Sequence, residues 1–409
     1  MKTASANWLA PLALAAFAVS APLHASTGPA STIGIWDVGA TPTTGNSSPV
    51  ANWRLDPMAS FNGVPNTFNG TARLLFDLRG DPGSFYVCSG SLLPGGEWIL
   101  TAAHCADGIR SMTINFGWYA GTALETRSAT GYVVHPGWIA SGGALDNGSD
   151  IALVKLNAPV TNLNTYYLSP TNDVGREHLI TGYGTSGTGY STSSPNWADS
   201  AYGHYGYNVF DVESSVVFGA WGQGTYTEPT YGVTYVVDFD SYDIPDPDRY
   251  NTLGRMAQIT GSSAWTSGLT LGEREALIAG GDSGGGDFVW DAASGQWLLS
   301  AVHSWGWQFC QGRITPSCDY RTGNSSSYGD LSGSTAVYTH IPWIESANAD
   351  LTDPDTYADF QKMLDLTVIA WQDKARFCGI WIRPRSQLPV GFGPATLRRF
   401  ASEANHQVP

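Results

Sequence analysis

The chain has 409 residues, enough for one large or two ordinary domains with ample core. Only 13% of them are charged, whereas the 48 glycines and 12% aromatics favour short strands and turns over long helices. A net charge of −15 argues against nucleic acid or an anionic membrane as the main partner, since both reward clusters of Lys and Arg.

Lys2 precedes an apolar run from Trp8 to Val19, followed by small residues around Ser20–Ala25. That pattern predicts a cleaved secretory signal over residues 1–25, too short to remain as a membrane span. No later stretch approaches the roughly 20 apolar residues that a span needs, so a secreted chain, extracellular or periplasmic, is expected. Residues 26–70 begin rich in Ser, Thr, Pro and Gly without periodicity and read as an N-terminal arm or propeptide.

From residue 71 short apolar or alternating runs appear, bounded by Gly, Pro, Asn and Asp. They include ARLLFDL, SFYVCSGSLL, EWILTAAHC, SMTINFGWY, GYVVH, IALVKL, GVTYVVDF, QWLLSAVHSW and TAVYTHI, the rhythm of an all-β barrel or sandwich. After residue 350, Asp353 and Pro354 open a helix whose apolar positions run from Tyr357 to Trp371, and a basic tail follows. The cysteines number five, and in an oxidising compartment sequence neighbours are expected to pair as Cys88–Cys105 and Cys310–Cys318, leaving Cys378 over. The first bridge closes a 17-residue loop, worth about 3 kcal/mol on the loop-entropy model, and pins the segment ending in His104.

Chemistry concentrates in three segments. In GGDSGGG, residues 280–286, Ser283 sits between glycines as a nucleophile on a sharp turn must, and the N–H groups of Gly281 and Ser283 are the expected oxyanion donors. In TAAHC, His104 supplies a general base next to a cysteine that fixes its backbone. In DIALVKL, Asp150 stands ahead of an apolar strand and would orient the imidazole; Asp146, in a Gly/Asn-rich turn, is the competing carboxylate.

In this order TAAHC, DIAL and GDSGG resemble the chymotrypsin/trypsin superfamily of serine proteases, specifically its bacterial-type exported members. CSGSLL (88–93), GYG (182–184), SWG (304–306) and VYTHIPWI (337–344) agree, so the resemblance covers residues 71–345. It implies two six-stranded antiparallel β-barrels, the first over about 71–165 and the second over about 175–345, with a C-terminal helix and extension at 346–409. His104 and Asp150 would come from the first barrel and Ser283 from the second. Ser304, Trp305 and Gly306 would bind the substrate backbone, and Leu277, Ile278 and His303 would line the specificity pocket. Relatives that cleave after acidic residues carry a pocket histidine where His303 falls; a histidine there facing away is the equal alternative.

Departures are visible too. The stretch between GYG and Ser283 is long and reads as an enlarged loop region over the cleft. No IVGG-like start precedes Cys88; the expected position lies near Phe61–Val64, leaving the amine partner that the family gives Asp282 unnamed. The acidic run 238–248 lacks the Gly and terminal Glu of an EF-hand loop and reads as solvated rather than as a calcium site, and no Cys/His grouping has zinc spacing.

The expected activity is metal-free and cofactor-free endopeptidase chemistry by a monomer acting on protein or peptide substrates. An inactive homologue serving as a binding or adhesion module is the alternative. An α/β-hydrolase esterase is disfavoured because that fold places Ser before Asp before His.

Overall fold

The structure is a computed structural model, and it describes residues 35–36, 53–189, 199–222, 231–240, 247–268, 271–310, 313–314, 316–320 and 326–346. The expected signal segment, the helix after residue 350 and Cys378 lie outside these residues. Among the described residues no helix is long and apolar enough to cross a membrane.

Fifteen strands are described. β1 (Ile35–Trp36) pairs in parallel with β9 (Gly187–Thr188). β2 (Thr71–Leu78), β3 (Asp81–Leu92), β4 (Trp98–Thr101), β5 (Ile109–Phe116), β6 (Glu125–Val134) and β7 (Ala152–Leu156) close an antiparallel barrel in the order β2-β3-β4-β7-β6-β5. Leu74, Ile99, Leu100, Ile114, Phe116 and Val154 fill it without exposure. These strands come from the runs seen in the sequence: β4 is buried on both faces, whereas the first half of β6 alternates with an exposed face.

The second sheet runs β10-β8-β13-β14-β15-β12-β11. Its members are β8 (Glu177–Gly182), β10 (His204–Val209), β11 (Val212–Glu213), β12 (Thr234–Asp238), β13 (Gly286–Asp291), β14 (Gln296–Trp307) and β15 (Leu331–Ala336). The two ends of this order, β10 and β11, are chain neighbours separated only by Phe210 and Asp211. Asp211 N donates to Val236 O at 3.2 Å and Asn208 Nδ2 to Asp238 O at 2.9 Å. The sheet therefore curls into a seven-stranded half-barrel, which fits the expected two-barrel fold although it is not a closed six-stranded barrel.

Three expectations need correcting. Residues 201–240 are not merely loop over the cleft: they contribute β10, β11, β12 and the helix α3 (Ser214–Ala220). TAVYTHI is not one strand; only Thr335 and Ala336 belong to β15, and from Val337 the chain winds into a 3₁₀ turn and then α5 (Ile341–Ser346), whose Pro342 suits a first helical turn. Residues 53–70 are not a loose arm, since Leu55 and Phe68 are buried in the main core and Arg54 pairs with Asp199 at 2.6 Å. That core is shared: Phe68 and Tyr166 pack on Phe288 of the second barrel with ring centroids 5.0 and 4.7 Å away.

The start of the acidic run is likewise not solvated. Asp238 and Asp240 are 3% and 5% exposed, and Asp238 Oδ2 accepts the Leu253 N–H at the start of α4 (Thr252–Thr260). Burial, set against the N–H groups that its carboxylate accepts, raises Asp238 to about 6.

His340 lies buried beside α5, where its Nε2 donates to Gly148 O at 2.7 Å and its ring meets His135 and Trp343. Burial lowers it from 6.5 to about 4. A histidine depressed in the folded state leaves the native protein binding fewer protons than the unfolded chain between those values. Its contribution is thus complete above pH 6.5 and is lost as pH falls toward 4, by roughly 3 kcal/mol. His340→Gln, which keeps a donor for Gly148 O, is expected to flatten the stability decline over this window in urea titrations at stepped pH.

Candidate active site

β4 runs straight into the site. Thr101 ends it, and α1 (Ala103–Ala106) makes a single turn in which Ala103, Cys105 and Ala106 are buried while the His104 side chain keeps 26% of its surface. The alanines let this turn pack flat, and the Cys88–Cys105 disulfide ties it to β3, with Cα atoms 6.2 Å apart. Cys310–Cys318 is also formed, so both pairings are as expected.

Asp150 precedes β7 and is fully buried. Its Oδ1 accepts the His104 backbone N–H at 2.9 Å, and its Oδ2 meets His104 Nδ1 at 2.7 Å and the Ser304 hydroxyl at 2.6 Å. Three donors around one carboxylate hold the imidazole with Nδ1–H toward the acid, which leaves Nε2 as the basic face. Asp150 rather than Asp146 is therefore the partner of His104. The Ser304 hydroxyl, expected only as part of a substrate-binding strand, is spent on this carboxylate.

Ser283 stands at a turn between Gly281 and Gly284, whose φ angles are +98° and +78°. Only glycine holds such angles without strain. The turn is clamped on every side. Asp282 accepts Gly184 N at 2.7 Å and Ala279 N at 2.9 Å, and Ser283 O accepts Ser89 N at 2.7 Å. Ser89 also donates its hydroxyl to Gly281 O at 3.2 Å, so a residue of β3 bolts the turn to the first barrel.

The same contact brings the serine beside α1, because Cys105 Sγ lies 3.6 Å from Ser283 O and Cys105 follows His104 directly. Among the described residues the N–H groups of Gly281 and Ser283, the Ser283 hydroxyl and His104 Nε2 have no hydrogen-bond partner.

A methyl group at position 284 would collide with Thr101 Oγ1 and approach Ala102 N to 2.9 Å. Gly284→Ala is expected to cost about 3 kcal/mol through strain and overpacking, read as a lowered melting midpoint together with lost activity.

The expected pocket residues divide. Trp305 lies against Gly333, where an added Cβ would enter its indole, and Gly306 is half-buried. Leu277 is buried with Phe210, Tyr235 and Tyr328, and Ile278 packs with Ile180 and Ala276, so neither side chain opens toward solvent. His303 is fully buried with both ring nitrogens engaged, by Asp282 O at 3.1 Å and Asp287 Oδ1 at 2.9 Å. That geometry corrects the reading of His303 as a residue that meets an acidic substrate side chain. Asp287 and its second neighbour His178 were not singled out in the sequence; nothing in their flanking residues marks them.

Among the described residues one His/Cys/Asp/Glu group has metal-like proximity: Cys88, His104 and Cys105. Its two sulfurs are bonded to each other and unavailable as thiolates.

A family model described as Trypsin matches residues 69–203. Among curated relatives, transmembrane protease serine 11G of Rattus norvegicus is 35% identical over 89 residues, 20% of this chain and 20% of its own. Brachyurin of Leptuca pugilator is 34% identical over 125 residues, 29% of this chain and 50% of its own. A solved structure described as HL collagenase is 19% identical with a TM-score of 0.44, covering 71% of this chain and 96% of that one. The chain spans between a fifth and a half of the length of these curated relatives. The match over the His and Asp segments, together with the barrel topology, supports the chymotrypsin/trypsin-like superfamily of serine proteases for this chain.

Proposed function

We propose that this chain is an exported serine endopeptidase in which Ser283, His104 and Asp150 form the catalytic triad. One observation carries the reading: a buried carboxylate holds the His104 imidazole by Nδ1, and the adjacent Cys105 touches the Ser283 carbonyl of a Gly-Asp-Ser-Gly turn whose Gly281 and Ser283 N–H groups have no partner among the described residues. Ser283 Oγ attacks the scissile carbonyl carbon while His104 Nε2 takes its proton. The oxyanion settles between the N–H groups of Gly281 and Ser283. As the C–N bond breaks, His104 returns the proton to the leaving amine, and water then releases the acyl group by the same steps.

Substrate binding follows from β14. Its partner β13 begins at Gly286, opposite Val302, so the side of β14 beyond that point has no β13 strand beside it. An extended peptide can pair along Ser304–Gly306 there, which favours internal segments of unfolded or loop substrate over compact esters. The disulfides and the residue 1–25 signal pattern support an extracellular or periplasmic site of action. Incubating the secreted protein with a peptide library and sequencing the new termini by mass spectrometry tests this. Internal cuts that vanish in Ser283→Ala are expected; an intact library beside turnover of simple esters would overturn it.

A further inference from the structure

Directly behind the nucleophile turn, inside the second barrel, lies a buried polar group that the proposed mechanism does not use. His303, Asp287 and His178 are each no more than 2% exposed. Asp287 Oδ1 receives His303 Nε2 at 2.9 Å and has His178 Nε2 3.4 Å away, while His303 Nδ1 reaches Asp282 O at 3.1 Å. A carbonyl oxygen can only accept, and so can an ionised carboxylate. Both nitrogens of His303 must therefore carry hydrogen, which makes it an imidazolium enclosed in the core and neutralised by Asp287.

Resting on the peptidase reading, we propose that His303 is a positioning residue: it anchors the Asp282 carbonyl so that the Ser283 N–H on the same peptide plane faces the cleft as an oxyanion donor. In a trans peptide the C=O and N–H point to opposite sides. Asp282 O is drawn inward by two donors, His303 Nδ1 at 3.1 Å and Gly285 N at 2.8 Å. The Ser283 N–H must then point outward. The ring also reaches the turn by its own main chain, where His303 O accepts Gly284 N at 2.8 Å and His303 N donates to Gly285 O at 2.9 Å. A Cβ at position 285 would come within 2.8 Å of His303 Nδ1, so glycine there leaves room for the ring.

The charges around the ring agree with this assignment. Burial by itself lowers His303, but Asp287, helped by Asp282, more than reverses that and raises it. Burial likewise opposes the ionised form of Asp287, yet His303 and His178 hold it below the usual carboxylate range. His178, stacked on Phe210 with centroids 3.8 Å apart, is lowered by burial to about 4, with Asp287 and Glu177 acting the other way and His303 adding to the fall. These shifts agree with an imidazolium held against a carboxylate, with a neutral imidazole beside them.

The test is the double variant His303→Phe/Asp287→Leu in the full chain, which removes both charges together and leaves neither orphaned. Rates are referred to active sites counted by the acyl burst, so that unfolded protein does not enter. The inference predicts kcat per site reduced about 10- to 100-fold with KM within about threefold, since a misplaced oxyanion donor costs up to 10²–10³. It also predicts that the gap narrows as pH rises through the raised His303 pKa, because the deprotonated ring turns a lone pair toward Asp282 O.

Wild-type kcat per site in the double variant would overturn the inference. In contrast, absence of any burst from the wild type itself would sink the peptidase reading. Should the variant not fold, ¹⁵N chemical shifts of the His303 ring in the wild type decide: both nitrogens protonated at pH 7 supports the assignment, and a neutral tautomer refutes it.

Discussion

Ser283→Ala is expected to reduce peptide hydrolysis by about 10⁴–10⁶-fold while the protein melts as the wild type does. The two halves of that expectation have separate causes. The hydroxyl has no hydrogen-bond partner among the described residues, so removing it orphans nothing; the structural contribution of position 283 is its carbonyl, which takes Ser89 N. Stability is then expected to change by no more than about 0.5 kcal/mol. Residual activity from the oxyanion donors and from binding sets the floor. Steady-state rates with an amide substrate and a thermal melt on the same sample check both halves.

Asp150→Asn is expected to cost about 10⁴-fold in kcat, as the same substitution does in the general serine-protease template. The reason lies in the three donors that surround the carboxylate: His104 N–H, His104 Nδ1 and the Ser304 hydroxyl. An amide offers one oxygen and two N–H groups in their place, so one of its own donors must face another donor. The site relieves that conflict by shifting the imidazole proton to Nε2, the position from which His104 has to accept the serine proton. Comparing kcat with KM distinguishes this cause from lost binding: the tautomer change lowers kcat and leaves KM near its original value.

The proposed triad stands out in the sequence because each of its segments is local. Small residues around His104, glycines about Ser283 and an apolar strand behind Asp150 are requirements of the chemistry at neighbouring positions, and they appear as short strings. The first barrel was legible for a similar reason, since β2, β4 and β7 carry aliphatic runs.

What escaped depends on packing at long range. β10, read from HYGYNV, has few aliphatic residues to signal a strand, and its place is set by pairing with β8, six residues in register. The facing of His303 was undecidable from period-two alternation, because the β14–β15 ladder shifts register between His303 and Trp305. Asp238 and Asp240 sit in what reads as a polar loop, and only the arrival of α4 and Glu275 buries them: Leu253 N donates to Asp238 and Glu275 Oε1 accepts Asp240 N at 2.6 Å. In each case the deciding neighbour lies many residues away, where local pattern carries no information.

The central claim is that one serine is activated by one histidine across the two barrels. Exposing the purified protein to a fluorophosphonate and mapping the mass adduct tests it most directly. A single adduct on Ser283 that fails to form in His104→Ala is the expected result. An unmodified Ser283 in the wild type, or equal labelling with and without the imidazole, would contradict the account.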